Sequence, residues 1–322
     1  MKPYRFFILL ILSILLFSLL LSACSPAVTP STAVAPVTSP TAALMPSDTP
    51  TATDTAQPQP GDTAAPSATA PKPTLGPDDW KSLPVIPAVS DTARAIYQKG
   101  LALGNDPARF SRIGDCQNIS TYFLAGFDQP GAYQLGEYTD LQGVIDHFAG
   151  SFGRTSLAVK GGFNVAAILS PLHADRSQCE STESPLACEL RANKPAIAIL
   201  SFETWWSQKP AEVYESYLRQ VIDYTIAQGV VPILATKADN LEGDNSINQA
   251  IARVAADYDI PLWNYWAAAQ PLPNHGLTAD GFHLTHADFY DFSSAENLTT
   301  GWAWRNLTAL QALDAVWKGL EK

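Results

Sequence analysis

Gly114-Asp115-Cys116, early in the folded part of this chain, and Asp280-Gly281-Phe282-His283, near its end, carry the residue types of an acyl-transfer site. A thiol nucleophile needs a base within hydrogen-bond reach, and an imidazole base needs a carboxylate to fix its tautomer and steady its charge. Cys116 would be the nucleophile and His283 the base. The spacing of three lets the Asp280 and His283 side chains share one neighbourhood, so Asp280 is the expected orienting acid. Either motif alone is common in turns, so the inference rests on finding both.

The elements that must position these residues follow from apolar periodicity and its breaks. Ser90 caps an expected helix with Ala93, Ile96, Tyr97 and Leu101 on one face, closed by Gly104. Phe110 to Ile113 reads as a strand running straight into Gly114. Ser156 to Val159 reads as a second strand, stopped by Gly161-Gly162, with Asn164 capping a short helix through Leu169. Ala196 to Phe202 and Val230 to Ala235 are continuous apolar runs, as in strands buried on both faces. Helical stripes fall between and after them, at Tyr214 to Ile222, Ile247 to Tyr258 and Leu307 to Trp317, with a short strand around Pro261 to Trp263. Strands alternating with single helices predict an α/β fold, a three-layer α/β/α sandwich around a mostly parallel sheet. Ligands of such sheets bind beyond the carboxyl ends of the strands, where Cys116, Gly162 and Glu203 would all lie.

Over Phe110 to Lys322 these motifs resemble the SGNH hydrolase family, also called GDSL esterases and lipases. Gly114-Asp115-Cys116 is similar to that family's Gly-Asp-Ser block, with Cys in place of Ser. Gly162, or else Gly161, is similar to its glycine block, and Asp280 to His283 to its Asp-x-x-His block. Ser201-Phe202-Glu203-Thr204 stands where the family has Gly-x-Asn-Asp, with Glu203 at the Asn position. The resemblance implies that Cys116 attacks an ester carbonyl, that His283 takes its proton and that Asp280 orients His283. It also implies an oxyanion hole from the backbone N–H groups of Cys116 and Gly162, with Glu203 at the third place. A carboxylate there would repel the oxyanion unless burial kept it protonated. A catalytically silent binding protein on the same fold is therefore the competing expectation.

The rest of the chain bounds where such a site would work. Lys2 and Arg5 precede an apolar run from Phe6 to Leu21, and Leu21-Ser22-Ala23-Cys24 resembles a bacterial lipobox. The run approaches the length of a membrane span, but Cys24 and the polar segment behind it favour a lipoprotein signal over 1–23 with lipidation at Cys24. Residues 24–77 are dominated by Pro, Thr, Ser and Ala and predict a disordered tether, spanning on the order of 40 Å. Residues 78–322, about 245 of them, suffice for one domain with a substantial core. The expected location is extracytoplasmic, lipid-anchored at the cell membrane, as a monomer. A net charge of −11 argues against nucleic acid as a partner.

Of the four cysteines, Cys179 and Cys188 lie nine apart in a Pro-containing segment and are the natural disulfide pair of an exported protein. Cys116 is then free, although its pairing with either of the others stays open at this level. His283, His286 and Asp288 lie close together in sequence, but no second cluster accompanies them, so no metal is assigned and no cofactor is expected. Trp205-Trp206 follows the third expected strand. Two adjacent indoles cannot easily share one core, so they are candidate substrate-binding residues suited to a sugar face. The expected substrate is a small-molecule or glycan ester. Residues 285–300, with Phe289, Tyr290 and Phe292, are expected to pack as an irregular surface loop rather than as a lid.

Overall fold

All seven residues of β2 (Pro195–Ser201) are buried, which a strand achieves only when both faces of its sheet are covered. The computed structural model describes residues 75–205 and 209–322. In it β2 lies between β1 (Asp106–Gly114) and β3 (Val231–Ala235), with β4 (Leu262–Trp263) beyond, giving a four-stranded parallel sheet in the order β1-β2-β3-β4. The register pairs Phe110 with Ile197, Gly114 with Ser201 and Leu200 with Leu234. It slips between Asp106 and Phe110, where Pro107 has no N–H to give and the Ala108 N–H turns to Asp106 Oδ1 at 2.9 Å.

The helices supply the outer layers. α1 (Asp91–Ala102) starts at Ser90, whose side chain accepts the Ala93 N–H, and buries Ala93, Ile96 and Tyr97. Short α2 (Gln142–His147) and α3 (Pro185–Asn193) follow β1. α4 (Ala211–Ala227) buries Tyr214, Leu218, Val221 and Ile222, and α5 (Ser246–Tyr258) buries Ile247, Ile251 and Val254. These two pack against each other and on β3, as right-handed crossovers from β2 to β3 to β4 require. Short α6 (Tyr265–Ala269) leads toward the long closing helix α7 (Gly301–Leu320), which packs with α1, while α1 covers β2 and β3. The expected α/β sandwich is the fold observed.

The second expected strand is a correction. Ser156 to Val159 forms a single parallel bridge, Val159 to Gly114, with Gly114 N–H donating to Ala158 O at 3.0 Å. Side chains take up the groups a ladder would have used. Ser156 Oγ donates to Arg112 O and accepts the Ala158 N–H, and the Leu157 N–H goes to Glu189 Oε2 at 2.8 Å. The helix expected through Leu169 is likewise a single turn, Ala167–Leu169, preceded by Asn164 Oδ1 accepting two N–H groups.

That remnant bridge still fixes the topology. Gly114 has Val159 on one side and Ser201 on the other, so the chain leaves β1, visits one flank and crosses to the opposite flank. Such reversal points are where parallel sheets open a crevice.

Cys179 and Cys188 are disulfide-bonded, and Cys116 is free. Residues 285–300 pack as a loop: Phe292 is buried against Phe127, and the Gln134 backbone exchanges hydrogen bonds with Tyr290 and Phe292. No helix among the described residues is long and apolar enough to cross a membrane. The signal segment 1–23, Cys24 and nearly all of the tether lie outside the described residues, as does Trp206.

Gly114 has φ +148°, and a Cβ there would lie 1.8 Å from Ser201 O. Gly114→Ala is therefore expected to lose about 3 kcal/mol or more of stability in urea unfolding, whereas Gly143→Ala in α2, with open space around it, stays near wild type. Equal midpoints for the two variants would contradict the tight exit of β1.

Candidate active site

The turn after β1 is held by one carboxylate. Asp115 is fully buried; its Oδ1 accepts the Gln117 N–H at 3.2 Å, and its Oδ2 accepts the Glu203 and Thr204 N–H groups at 2.8 and 2.7 Å. Asn118 adds a second tie, its Nδ2 donating to Ser201 O at 2.9 Å. The exits of β1 and β2 are thereby bound together, and Cys116 stands half-buried between their ties.

Its thiol is held neutral. Burial pushes the Cys116 thiol up to about 12, the neighbouring Asp115 and Glu203 carboxyls add to that, and Arg305 pulls the other way. The proton must therefore leave during attack rather than before it.

Glu203 follows β2 with its N–H on Asp115, and its carboxyl is turned inward and only 1 % exposed. Oε1 accepts from Ser201 Oγ at 2.6 Å and lies 3.3 Å from Arg305 Nη2, while Oε2 has no hydrogen-bond partner among the described residues. Arg305, the fifth residue of α7, is fully buried, with Phe123, Trp263 and Tyr265 rings 4.9, 5.0 and 5.1 Å from its guanidinium carbon. Its Nη2 also donates to Ser201 Oγ at 2.6 Å. Arg305 thus serves Glu203 and Ser201, while Asp115 is met by backbone N–H groups. Asp115 has three backbone donors and is the natural anion, so Glu203 is the one that keeps a proton. Burial first, then Asp115, pushes the Glu203 carboxyl up to about 8.

The base and its acid lie on a short hairpin. Leu277 and Leu284 form an antiparallel bridge, and the Thr278 N–H donates to His283 O at 2.7 Å. Asp280 Oδ1 accepts from Thr278 Oγ1 at 2.7 Å, Phe282 N–H at 2.9 Å and His283 N–H at 3.0 Å. Oδ2 lies 2.6 Å from His283 Nδ1. These bonds, the imidazole contact first, hold the Asp280 carboxyl well below the usual carboxylate range. With Nδ1–H donated to Asp280, Nε2 carries the lone pair, on a side chain that is 65 % exposed. The neighbouring groups are engaged elsewhere: His286 meets Phe289 edge-on, and Asp288 Oδ1 accepts the Tyr290 N–H.

A cavity of about 930 Å³ has Glu203, Thr204, Trp205, Lys237, Glu242 and Phe282 in its lining. Phe282 precedes His283, and the Glu203 and Thr204 N–H groups are held by Asp115, whereas Cys116, Asp280 and His283 are not among the residues that line this cavity. Gly162 follows the Val159 bridge with φ +81°, and among the described residues its N–H donates to no backbone carbonyl. Trp205 is half-buried, edge-on to Tyr214, with Nε1–H donating to Lys209 O at 3.2 Å. Trp263 is core, stacked on Phe123. Arg305 and Ser201 are the members sequence reasoning missed; nothing in the apolar pattern of α7 marks Arg305 as a partner of a strand exit.

No protein-family model matches the chain, and no curated protein matches it. Among solved structures it is similar to a GDSL-like lipase from Bacteroides thetaiotaomicron VPI-5482, at 15% identity and a TM-score of 0.38, over 69% of this chain and 97% of that one. Nothing about this chain's activity follows from that likeness.

Between the usual Glu value and about pH 8 the folded chain holds a Glu203 proton that the unfolded chain has lost. Stability should therefore fall as pH rises through that window, by at most about 1.4 kcal/mol per pH unit. Glu203→Gln removes this slope, so the variant should gain on wild type between pH 5 and pH 8 in urea unfolding. A difference independent of pH would mean Glu203 is ionised in the fold.

Proposed function

We propose that this chain is an exported ester hydrolase, lipid-anchored through Cys24, held off the membrane by residues 24–77 and acting as a monomer on O-acyl groups of a glycan. The observation that carries the chemistry is the Asp280–His283 pair, fixed at 2.6 Å on the hairpin that shares a cavity with the segment tied to the Cys116 turn. The export and anchor rest on the sequence alone.

In this reading His283 Nε2 takes the Cys116 proton as Sγ attacks the ester carbonyl. The Cys116 and Gly162 N–H groups receive the oxyanion. Its collapse breaks the C–O bond, His283 gives its proton to the leaving alcohol, and a thioester remains on Cys116. Water, deprotonated by His283, then attacks the thioester; the carboxylic acid leaves and the proton returns to sulfur. A neutral Glu203 spares the oxyanion a repelling charge, but an inward carboxyl gives it no direct donor. A missing side-chain donor costs roughly 10²- to 10³-fold in rate, so turnover should be slow.

A thiol held neutral works as a hydroxyl does, its proton removed within the attack. Cys116→Ser should accordingly hydrolyse nitrophenyl acetate within about tenfold of wild type, while Cys116→Ala and His283→Ala fall to background. Hydrolysis unchanged in both alanine variants would remove the mechanism. The raised thiol also favours a second reading, a non-catalytic binding protein using the same cavity; it is the right one if wild type shows no Cys116-dependent turnover.

A further inference from the structure

The cap of α7 comes from the base hairpin. The first N–H groups of a helix have no partner within it, and Thr300, at the N-cap of α7, turns its hydroxyl back to Asn297 O at 2.7 Å. Thr285, two residues after His283, takes over that task. Its Oγ1 accepts the Gly301 N–H at 2.9 Å, and its carbonyl accepts the Trp302 N–H at 2.9 Å. The same residue closes the hairpin, its N–H and Oγ1 donating to Gly276 O at 2.8 and 3.0 Å beside the Leu277–Leu284 bridge. The contact has no slack. A Cβ on Gly301 would lie 2.2 Å from Gly276 O and 3.0 Å from Leu284 Cβ.

One turn further on, α7 holds the other half of the site. Arg305 Nη2 donates to Ser201 Oγ at the exit of β2. Asn306, fully buried, accepts the Leu124 N–H on Oδ1 at 2.8 Å, and its Nδ2 donates to Tyr122 O at 3.0 Å and to Phe289 O at 3.4 Å. Tyr122 lies on the chain just after the Cys116 turn and Phe289 just after the hairpin, and their rings meet edge-on at 6.0 Å. The His283 side chain itself is 65 % exposed, with Asp280 as its ion-pair partner, so its place is set by the backbone of the hairpin. We infer that Thr285 is a positioning residue for the acyl-transfer step: by capping α7 it fixes the Asp280–His283 hairpin to the helix that also grips the β2 exit and the segment after Cys116, and so sets the base against the sulfur. The inference rests on the hydrolase reading of the Cys116–His283 pair.

Alkylation by iodoacetamide reads that placement without any ester. A thiol held neutral must give its proton to a base as sulfur displaces iodide, so His283 governs the rate. Modification of the Cys116 peptide in the full chain at neutral pH is followed by mass spectrometry through a double-mutant cycle. His283→Ala should slow it about tenfold or more; Thr285→Val, which keeps the side-chain shape and loses the hydroxyl, should slow it about tenfold with His283 present but less than about twofold in the His283→Ala background. Thr285→Ser, which keeps the oxygen, should stay near wild type. Should Thr285→Val fail to fold, Thr285→Ala is carried through the same cycle. No slowing by the Thr285 variant, equal slowing in both backgrounds, or no recovery in Thr285→Ser would each overturn the assignment while leaving His283 as the base. A rate unchanged by His283→Ala would instead sink the hydrolase reading itself, and the assignment with it.

Discussion

The Asp115 carboxylate is the fixed point of this structure. It is fully buried and receives N–H groups from its own turn and from Glu203 and Thr204, the second and third residues beyond β2. A buried anion is tolerable only when hydrogen bonds replace its lost hydration, and here backbone dipoles do so. The consequence is geometric. The exits of two adjacent parallel strands cannot separate, so Cys116 on one and Glu203 on the other stay together at the point where the sheet reverses direction.

The same anion sets the charge state around it. A second carboxyl, Glu203, comes to the same pocket because the second strand exit is tied there, and the Arg305 guanidinium lies 3.3 Å from it. Arg305 reaches Glu203 from α7 through a box of Phe123, Trp263 and Tyr265, whose ring faces stabilise a cation that water cannot reach. Charge balance then leaves Glu203 protonated and the nearby thiol neutral. A preformed thiolate–imidazolium pair is the arrangement these surroundings oppose. Such a site behaves toward sulfur as it would toward oxygen, and the Asp280–His283 hairpin provides the base that this requires.

Much of this was legible in the chain. Continuous apolar runs gave β2 and β3, since buried parallel strands need no polar face, and Ser90 marked its helix by a local cap. Cys179 and Cys188 followed from spacing and compartment. Ser156 to Val159 was misread because its apolar pattern suits a strand, whereas Ser156 Oγ and Glu189 divert the backbone bonds that would have made one. The motifs bearing Cys116 and His283 were visible because each is short and local. Arg305 was not, because a single arginine among apolar helix positions gives no hint that it lies under a strand exit about 100 positions earlier, bound to Ser201 and Glu203.

The central claim is that the Cys116 sulfur accepts an acyl group under the control of His283. Mixing the full chain with nitrophenyl acetate, quenching in acid within the first turnovers and sequencing the peptides by mass spectrometry tests it directly. An acetyl group on the peptide containing Cys116, lost over time in wild type and absent in His283→Ala, is the predicted result. No adduct on Cys116 while nitrophenol is being released, or an adduct formed equally fast without His283, would contradict it.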